Sequence, residues 1–177
     1  MSSQGDSPWA VLHSSKRHDW RTPPELFKRL DREFGFLMDA AASKDNALCE
    51  YHMSVKDDAL TAHWADHMQP TLKKRRPMVA SVFCNPPYGR GVGKWVQKAY
   101  EESKESLLTV VVLVFACTDT KWWRDWAWKA DEIRFISGRL KFLNHEGKEE
   151  AAAPKGSAIL VFRPYASGPP KCTLLTP

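Results

Sequence analysis

No apolar stretch in this chain reaches the length of a membrane span. The first residues are polar and mixed, with no hydrophobic segment of the kind that opens a secretion signal. Both absences lead to the expectation of a cytoplasmic protein with no membrane partner. Cysteine is scarce and scattered. Cys49, Cys84, Cys117 and Cys172 show no paired spacing, which speaks against a disulfide framework and against a zinc cluster. His63 and His67 have helical spacing, but no third ligand accompanies them, so they read as a surface pair and no metal is expected. No internal repeat is visible.

What is present fits one globular domain. The chain has 177 residues with an ordinary 43% of apolar residues, enough to bury a core. The net charge of +5 permits a polyanionic partner without specifying one. Lys73-Lys74-Arg75-Arg76 concentrates that charge, either as a solvated loop or as a phosphate contact. Nothing in the chain speaks to oligomeric state.

The order of elements follows from pattern and punctuation. Residues 1–19 read as a flexible arm. Thr22-Pro23-Pro24-Glu25 reads as a helix start, with Thr22 as N-cap, Pro23 first in the helix and Glu25 closing a capping box. Leu26, Phe27, Leu30 and Phe34 share one helical face, and Gly35 ends it. Short strands are expected at 36–39 and around 48–53, then a turn and a short helical stretch over 57–68. Residues 69–77 read as a basic loop. Strands follow at 79–84 and 107–117, the latter apolar on both faces, with a helix over 94–103 between them. Another helix carries Trp122, Trp126 and Ala130 as a stripe. Strands at 132–136 and 157–162 close the fold around an exposed loop at 143–156, and 167–177 reads as a C-terminal tail. Alternating strands and helices predict a Rossmann-like three-layer α/β sandwich. Ligands of such sheets sit at the carboxyl ends of strands. Asp39, Asn85 and Cys117-Thr118-Asp119 all fall at such ends.

The most informative residues are Asn85-Pro86-Pro87-Tyr88, directly after an apolar strand. An aromatic exocyclic amine is a weak nucleophile because its lone pair is spread into the ring. Alkylating it requires acceptors for its protons and a fixed direction for that lone pair. Asn85 carries a side-chain carbonyl, and Pro86 has no N–H, so its backbone presents only an acceptor. The paired prolines stiffen the turn. Tyr88 offers a face for a planar base or amide. The same four residues are equally consistent with a rigid turn and a packing tyrosine.

Several segments together resemble the S-adenosylmethionine-dependent amino-methyltransferases, and most closely the phage-type Dam family of DNA N6-adenine methyltransferases. They are Asp19-Trp20-Arg21-Thr22-Pro23-Pro24-Glu25-Leu26-Phe27, Met38-Asp39-Ala40-Ala41-Ala42-Ser43 with Asn46-Ala47, and Asp58-Ala59-Leu60 with Trp64. Phe83-Cys84-Asn85-Pro86-Pro87-Tyr88-Gly89, Thr118-Asp119-Thr120 with Trp122-Trp123, and Gly138-Arg139-Leu140-Lys141-Phe142 complete the set. The resemblance covers about residues 19–165, and it implies a methyltransferase domain at 20–166. It implies the class I methyltransferase fold, with a mostly parallel seven-stranded sheet and one antiparallel strand near the edge.

By resemblance, Trp20 and Thr22 lie over the methionine end of S-adenosylmethionine, and Asp39 lies near its amino group. Ala40 and Ala41 line the loop after the first strand, where alanines replace the usual glycines. Asp58, or Asp57 beside it, reaches the cofactor's adenine. Asn85, Pro86, Pro87 and Tyr88 form the amine site. The implied activity is methyl transfer to the N6 amine of a flipped adenine in DNA, in a bacterial host carrying a phage or prophage. Methylation of cytosine N4, RNA adenine or a protein glutamine remains open, as does a catalytically silent DNA-binding protein of the same fold. Asp39 and Asp58 are also consistent with simple helix caps, and the tryptophan cluster with core.

Overall fold

The computed structural model describes residues 20–68 and 80–176. The expected arm at 1–19, the basic loop at 69–77 and the run Lys73–Arg76 lie outside the described residues. Among the described residues, seven strands form one sheet, in the order β2-β1-β3-β4-β6-β5-β7. They are β1 (Phe36–Asp39), β2 (Tyr51–His52), β3 (Ser81–Cys84), β4 (Thr109–Phe115), β5 (Glu132–Ile136), β6 (Ser157–Phe162) and β7 (Lys171–Leu175). The helices are α1 (Pro24–Phe34), α2 (Trp64–His67), α3 (Val92–Glu105) and α4 (Lys121–Asp125).

The centre of the sheet is where β-branched residues concentrate. All four residues of β3 and all six of β6 are buried, as are the five inner residues of β4. Alternation along these strands sorts side chains onto two faces. Val82, Val110, Val112 and Val114 join a core with Trp64, Val96, Ala99 and Trp123, from α2, α3 and α4. Phe83, Val111 and Leu113 join the other core with Leu30 of α1, Leu140 and Phe142. The molecule is therefore an α/β sandwich with helices on both faces of the sheet. One buried ionic knot holds the first face together. Glu102 of α3 meets Lys98 Nζ at 2.7 Å and accepts the Trp64 N–H that opens α2.

The sheet is mixed. β1 pairs in parallel with β2 and β3, β3 with β4, and β5 with β7. β6 is antiparallel to both its neighbours, β4 and β5. This corrects the expected mostly parallel sheet with its antiparallel strand near the edge. β6 lies inside the sheet, with β5 and β7 beyond it. Residues 167–177, expected as a tail, supply β7, which pairs with β5 from Lys171 to Leu175.

Local corrections have local causes. Pro23, not Thr22, is the N-cap of α1, and Pro24 opens the helix. Pro23 precedes a proline, which pushes it out of the helical region, and its ψ is 130°. Gly35 does end α1, at φ +60°, with its N–H on the Asp31 carbonyl. The turn and short helical stretch expected over 57–68 are present, the helix as Trp64–His67, whereas the strand around 48–53 shrinks to two residues. The tryptophan helix stops at Asp125 and continues as a 3-10 turn over Ala127–Lys129.

Candidate active site

Three strand ends and one N-terminal segment converge. β1 ends on Asp39, β3 runs into Asn85, and β4 ends on Phe115, side by side in the sheet. The register carries on past β1, because the Ala40 N–H donates to the Phe83 carbonyl at 2.8 Å. Segment 20–22 is tied above these ends by a two-way bridge. Arg21 N–H donates to the Leu143 carbonyl at 2.9 Å, and Leu143 N–H returns to Arg21 at 3.0 Å.

Asn85 is the hinge of this arrangement. Its Nδ2 donates to the Trp20 carbonyl at 2.7 Å and to Thr22 Oγ1 at 3.1 Å. A backbone carbonyl only accepts, so these contacts orient the amide, with nitrogen toward segment 20–22. Asn85 Oδ1 is then left buried with no partner among the described residues. Five buried side-chain polar atoms are unpartnered in this sense, and four belong to Trp20, Arg21, Asn85 and Tyr88. Buried polar atoms normally find partners, so such a concentration marks a place built for something else.

Two cavities open here. The smaller, about 260 Å³, is lined by Trp20, Thr22, Asp39, Ala41, Asn85, Pro86 and Pro87. The larger, about 560 Å³, has mainly aromatic and apolar walls, including Trp20, Tyr88, Phe115 and Trp122. Arg90 and Lys155 add positive charge to its lining. Trp20 belongs to both.

Asp39 gives the smaller cavity its electrostatic character. Asp39 is only 3% exposed. Burial pushes its pKa up to about 6, against the opposing effect of N–H groups from Ala41 and Leu48. Those two contacts are long, 3.3 and 3.4 Å, so the carboxylate is weakly held. No helix follows Asp39, so capping does not explain it. A cationic group entering this cavity would meet a carboxylate whose charge is otherwise poorly supported.

The other expected residues divide. Ala40 is fully buried behind the cavity rather than in its wall. Tyr88 is buried within an aromatic cluster, its ring 4.2 Å from Phe115 and 5.8 Å from Trp20 between centroids. It is a wall of the larger cavity and not an open platform. Burial raises its phenol well above the ordinary value, so the ring stays neutral. Asp58 is exposed, at φ +44°, and lines neither cavity. Asp57 is engaged by Ser54, whose N–H and Oγ both donate to it at 2.7 Å. Trp123 is core, whereas Trp122 is half-buried and forms cavity wall. Thr120 is the N-cap residue of α4, and its hydroxyl donates to the Cys117 carbonyl.

Several wall residues escape sequence reasoning. Arg21, Asp45, Leu48, Leu143 and Gly147 line the smaller cavity, and Phe115 and Lys155 the larger. The quoted segments around Trp20 and Asn46 bracket some of these. Leu143 and Gly147 belong to the stretch read as an exposed loop, and nothing in its pattern marks them.

Comparison with known proteins agrees with this geometry. The model of the family described as DNA N-6-adenine-methyltransferase (Dam) matches residues 10–176. The chain is 30% identical over 166 residues to the DNA N-6-adenine-methyltransferase of Escherichia phage T1, across 84% of this chain and 64% of the phage protein. The match therefore spans less than two thirds of that relative. A stretch of 70 residues is 31% identical to YfdM of Escherichia coli (strain K12), whose name marks it as an unproven methyltransferase. That stretch covers 39% of this chain and 69% of YfdM. With a family match running through nearly the whole sequence, this chain belongs to the DNA N-6-adenine-methyltransferase (Dam) family.

Proposed function

We infer that the protein methylates the N6 amine of adenine in DNA, with S-adenosylmethionine as donor. The observation that carries this reading is Asn85 Oδ1, a buried, unpartnered carbonyl on a residue that lines the smaller cavity, its orientation set by bonds on the opposite side of the amide. Such an atom accepts an amine proton. The phage T1 relative's name supplies the adenine N6 position and the DNA.

The residues of the smaller cavity fit the cofactor. Asp39 offers a buried carboxylate for its ammonium group, and Ala41 leaves room for close approach. Trp20 and Thr22 form the wall toward Asn85. A cavity of about 260 Å³ is small beside the roughly 300–1,000 Å³ of small-molecule sites, so it suits the amino-acid end of the cofactor. Asp58 as partner of the adenine end stands on family resemblance alone. When bound, S-adenosylmethionine supplies an electrophilic methyl group on a sulfonium. The fold that supports this reading is the class I methyltransferase arrangement, with the site across the ends of β1, β3 and β4.

The larger cavity suits the target base. A flipped adenine loses stacking worth a few kcal/mol. Aromatic walls at Tyr88, Phe115 and Trp122 return about 1–3 kcal/mol of that. Asn85 and Pro86 line the smaller cavity. On this reading the base reaches past Trp20, the wall both cavities share, for Asn85 Oδ1 and the Pro86 carbonyl to accept the amine hydrogens, which favours a tetrahedral nitrogen. Arg90 and Lys155 are placed to meet phosphate. A DNA substrate agrees with a cytoplasmic setting, and among the described residues no helix is long and apolar enough to cross a membrane.

The test is methyl transfer from radiolabelled cofactor to DNA, RNA and protein side by side, followed by nucleoside analysis. Label recovered as N6-methyladenine from DNA is expected. Label on cytosine, RNA or protein, or none at all, overturns the reading.

A further inference from the structure

The sequence places Thr22 over the cofactor or at the start of a helix. The structure gives its hydroxyl a different partner. Thr22 is 4% exposed, makes no cap bond to α1, and has Oγ1 at 3.1 Å from Asn85 Nδ2. We propose that Thr22 is a positioning residue for Asn85, and that segment 20–22 is a clamp that turns the Asn85 carbonyl toward the reacting amine. The proposal rests on the reading of Asn85 as the amine acceptor.

An asparagine amide has two orientations of nearly equal shape. Only one exposes its oxygen to the substrate. The other would present N–H groups to an amine that must itself give up protons. The NH2 group has two donors, and the clamp takes both, one on the Trp20 carbonyl and one on Thr22 Oγ1. Reversing the amide would set Oδ1 against the Trp20 carbonyl, 2.7 Å from where Nδ2 now sits, with no proton between them. Trp20's carbonyl is in turn held by the bridge from Arg21 to Leu143. The second bond stops the amide plane from tilting about the first.

Thr22→Val keeps the shape and removes the hydroxyl, and Thr22→Ser keeps the hydroxyl. The experiment measures kcat, cofactor affinity and the NMR signals of the Asn85 side-chain amide in both variants. We expect Thr22→Val to lower kcat on the order of ten- to a hundredfold, the scale of a small misplacement of a reacting group. Cofactor affinity should stay within about twofold, the Asn85 amide signals should shift, and Thr22→Ser should restore kcat. Weaker cofactor binding at unchanged kcat would make Thr22 a cofactor contact and overturn the proposal. So would a serine variant as slow as the valine one. Hydrogen exchange in the unaltered protein needs no variant. Both Asn85 side-chain protons should be protected, and one fast proton sinks the clamp. If the unaltered protein transfers no methyl to adenine, the functional reading fails, while the amide signals still report on the clamp.

Discussion

Asn85 and Trp20 are sixty-five positions apart, yet the side-chain nitrogen of one lies 2.7 Å from the carbonyl of the other. The residue proposed to face the substrate is thus oriented by a segment from the far end of the domain.

Asn85→Ala removes the acceptor without touching Asp39. Turnover should fall by about a hundredfold or more, the effect of deleting one well-placed polar group at a reacting centre. Cofactor affinity, measured by calorimetry, should change little. Near-normal turnover would show the tetrapeptide to be only a turn.

Burial of Asp39 makes stability depend on pH, and on the reading proposed above cofactor binding should depend on it too. Its pKa is raised from the usual 3.8 to about 6. A carboxyl raised in the fold favours the folded state most when protonated. That contribution is present below about pH 4 and is lost as pH climbs through 6. By the standard conversion the loss is about 3 kcal/mol at pH 8. Asp39→Asn should therefore outlast the unaltered protein in thermal melts above pH 7 and match it near pH 4. The same variant should bind cofactor poorly. In the unaltered protein, cofactor affinity should rise with pH up to about 6 and then level, with a proton released to buffer below that point. A flat profile from pH 4 to 8 refutes the assignment.

Gly93 lies against Trp122. A methyl group added there would come 2.6 Å from Trp122 Cβ. Gly93→Ala should cost about 1–3 kcal/mol, as overpacking does, and should raise the KM for DNA because Trp122 walls the larger cavity. An unchanged melting temperature would mean that Trp122 yields without strain.

Tyr88→Phe deletes a buried hydroxyl that has no partner among the described residues. Burying such a group costs about 1–3 kcal/mol. The variant should melt higher and keep its methylation activity, since the ring forms the wall. A lower melting temperature would reveal a partner for the hydroxyl.

The basic run Lys73–Arg76 should contribute to DNA affinity through phosphates. Replacing all four with serine should weaken binding to every sequence alike. Each lost phosphate contact should reduce the log–log salt slope by about 0.9. An unchanged slope would make the run a solvated loop, and a changed target sequence would mean it reads bases.

Legibility in the sequence followed the range of the interaction. The strands at 109–115 and 157–162 announce themselves by largely apolar runs, and Gly35 marks its helix end through its own backbone. Asp39 and Asn85 were visible as strand-end residues, because strand ends are local. Thr22's bond to Asn85 spans sixty-three positions and leaves no local trace. The same holds for Tyr88, whose aromatic neighbours Trp20, Phe115 and Phe142 come from three other segments. Residues 171–175 alternate weakly and are mostly exposed, so only their pairing with β5 shows them to be a strand. The turn and short helix expected over 57–68 are both present, but Asp58 sits in the turn in a left-handed conformation no pattern foretells.

Trp20 is wall to both cavities. A ring shared in this way makes the two compartments thermodynamically reciprocal. Whatever factor the first occupant imposes on the second through the ring, the second imposes on the first. On the reading proposed above, cofactor that seats the indole would tighten DNA by the ratio in which DNA tightens cofactor, and the cofactor product, lacking the methyl group, would be subject to the same bookkeeping. A change at this one indole ring would then alter both affinities together.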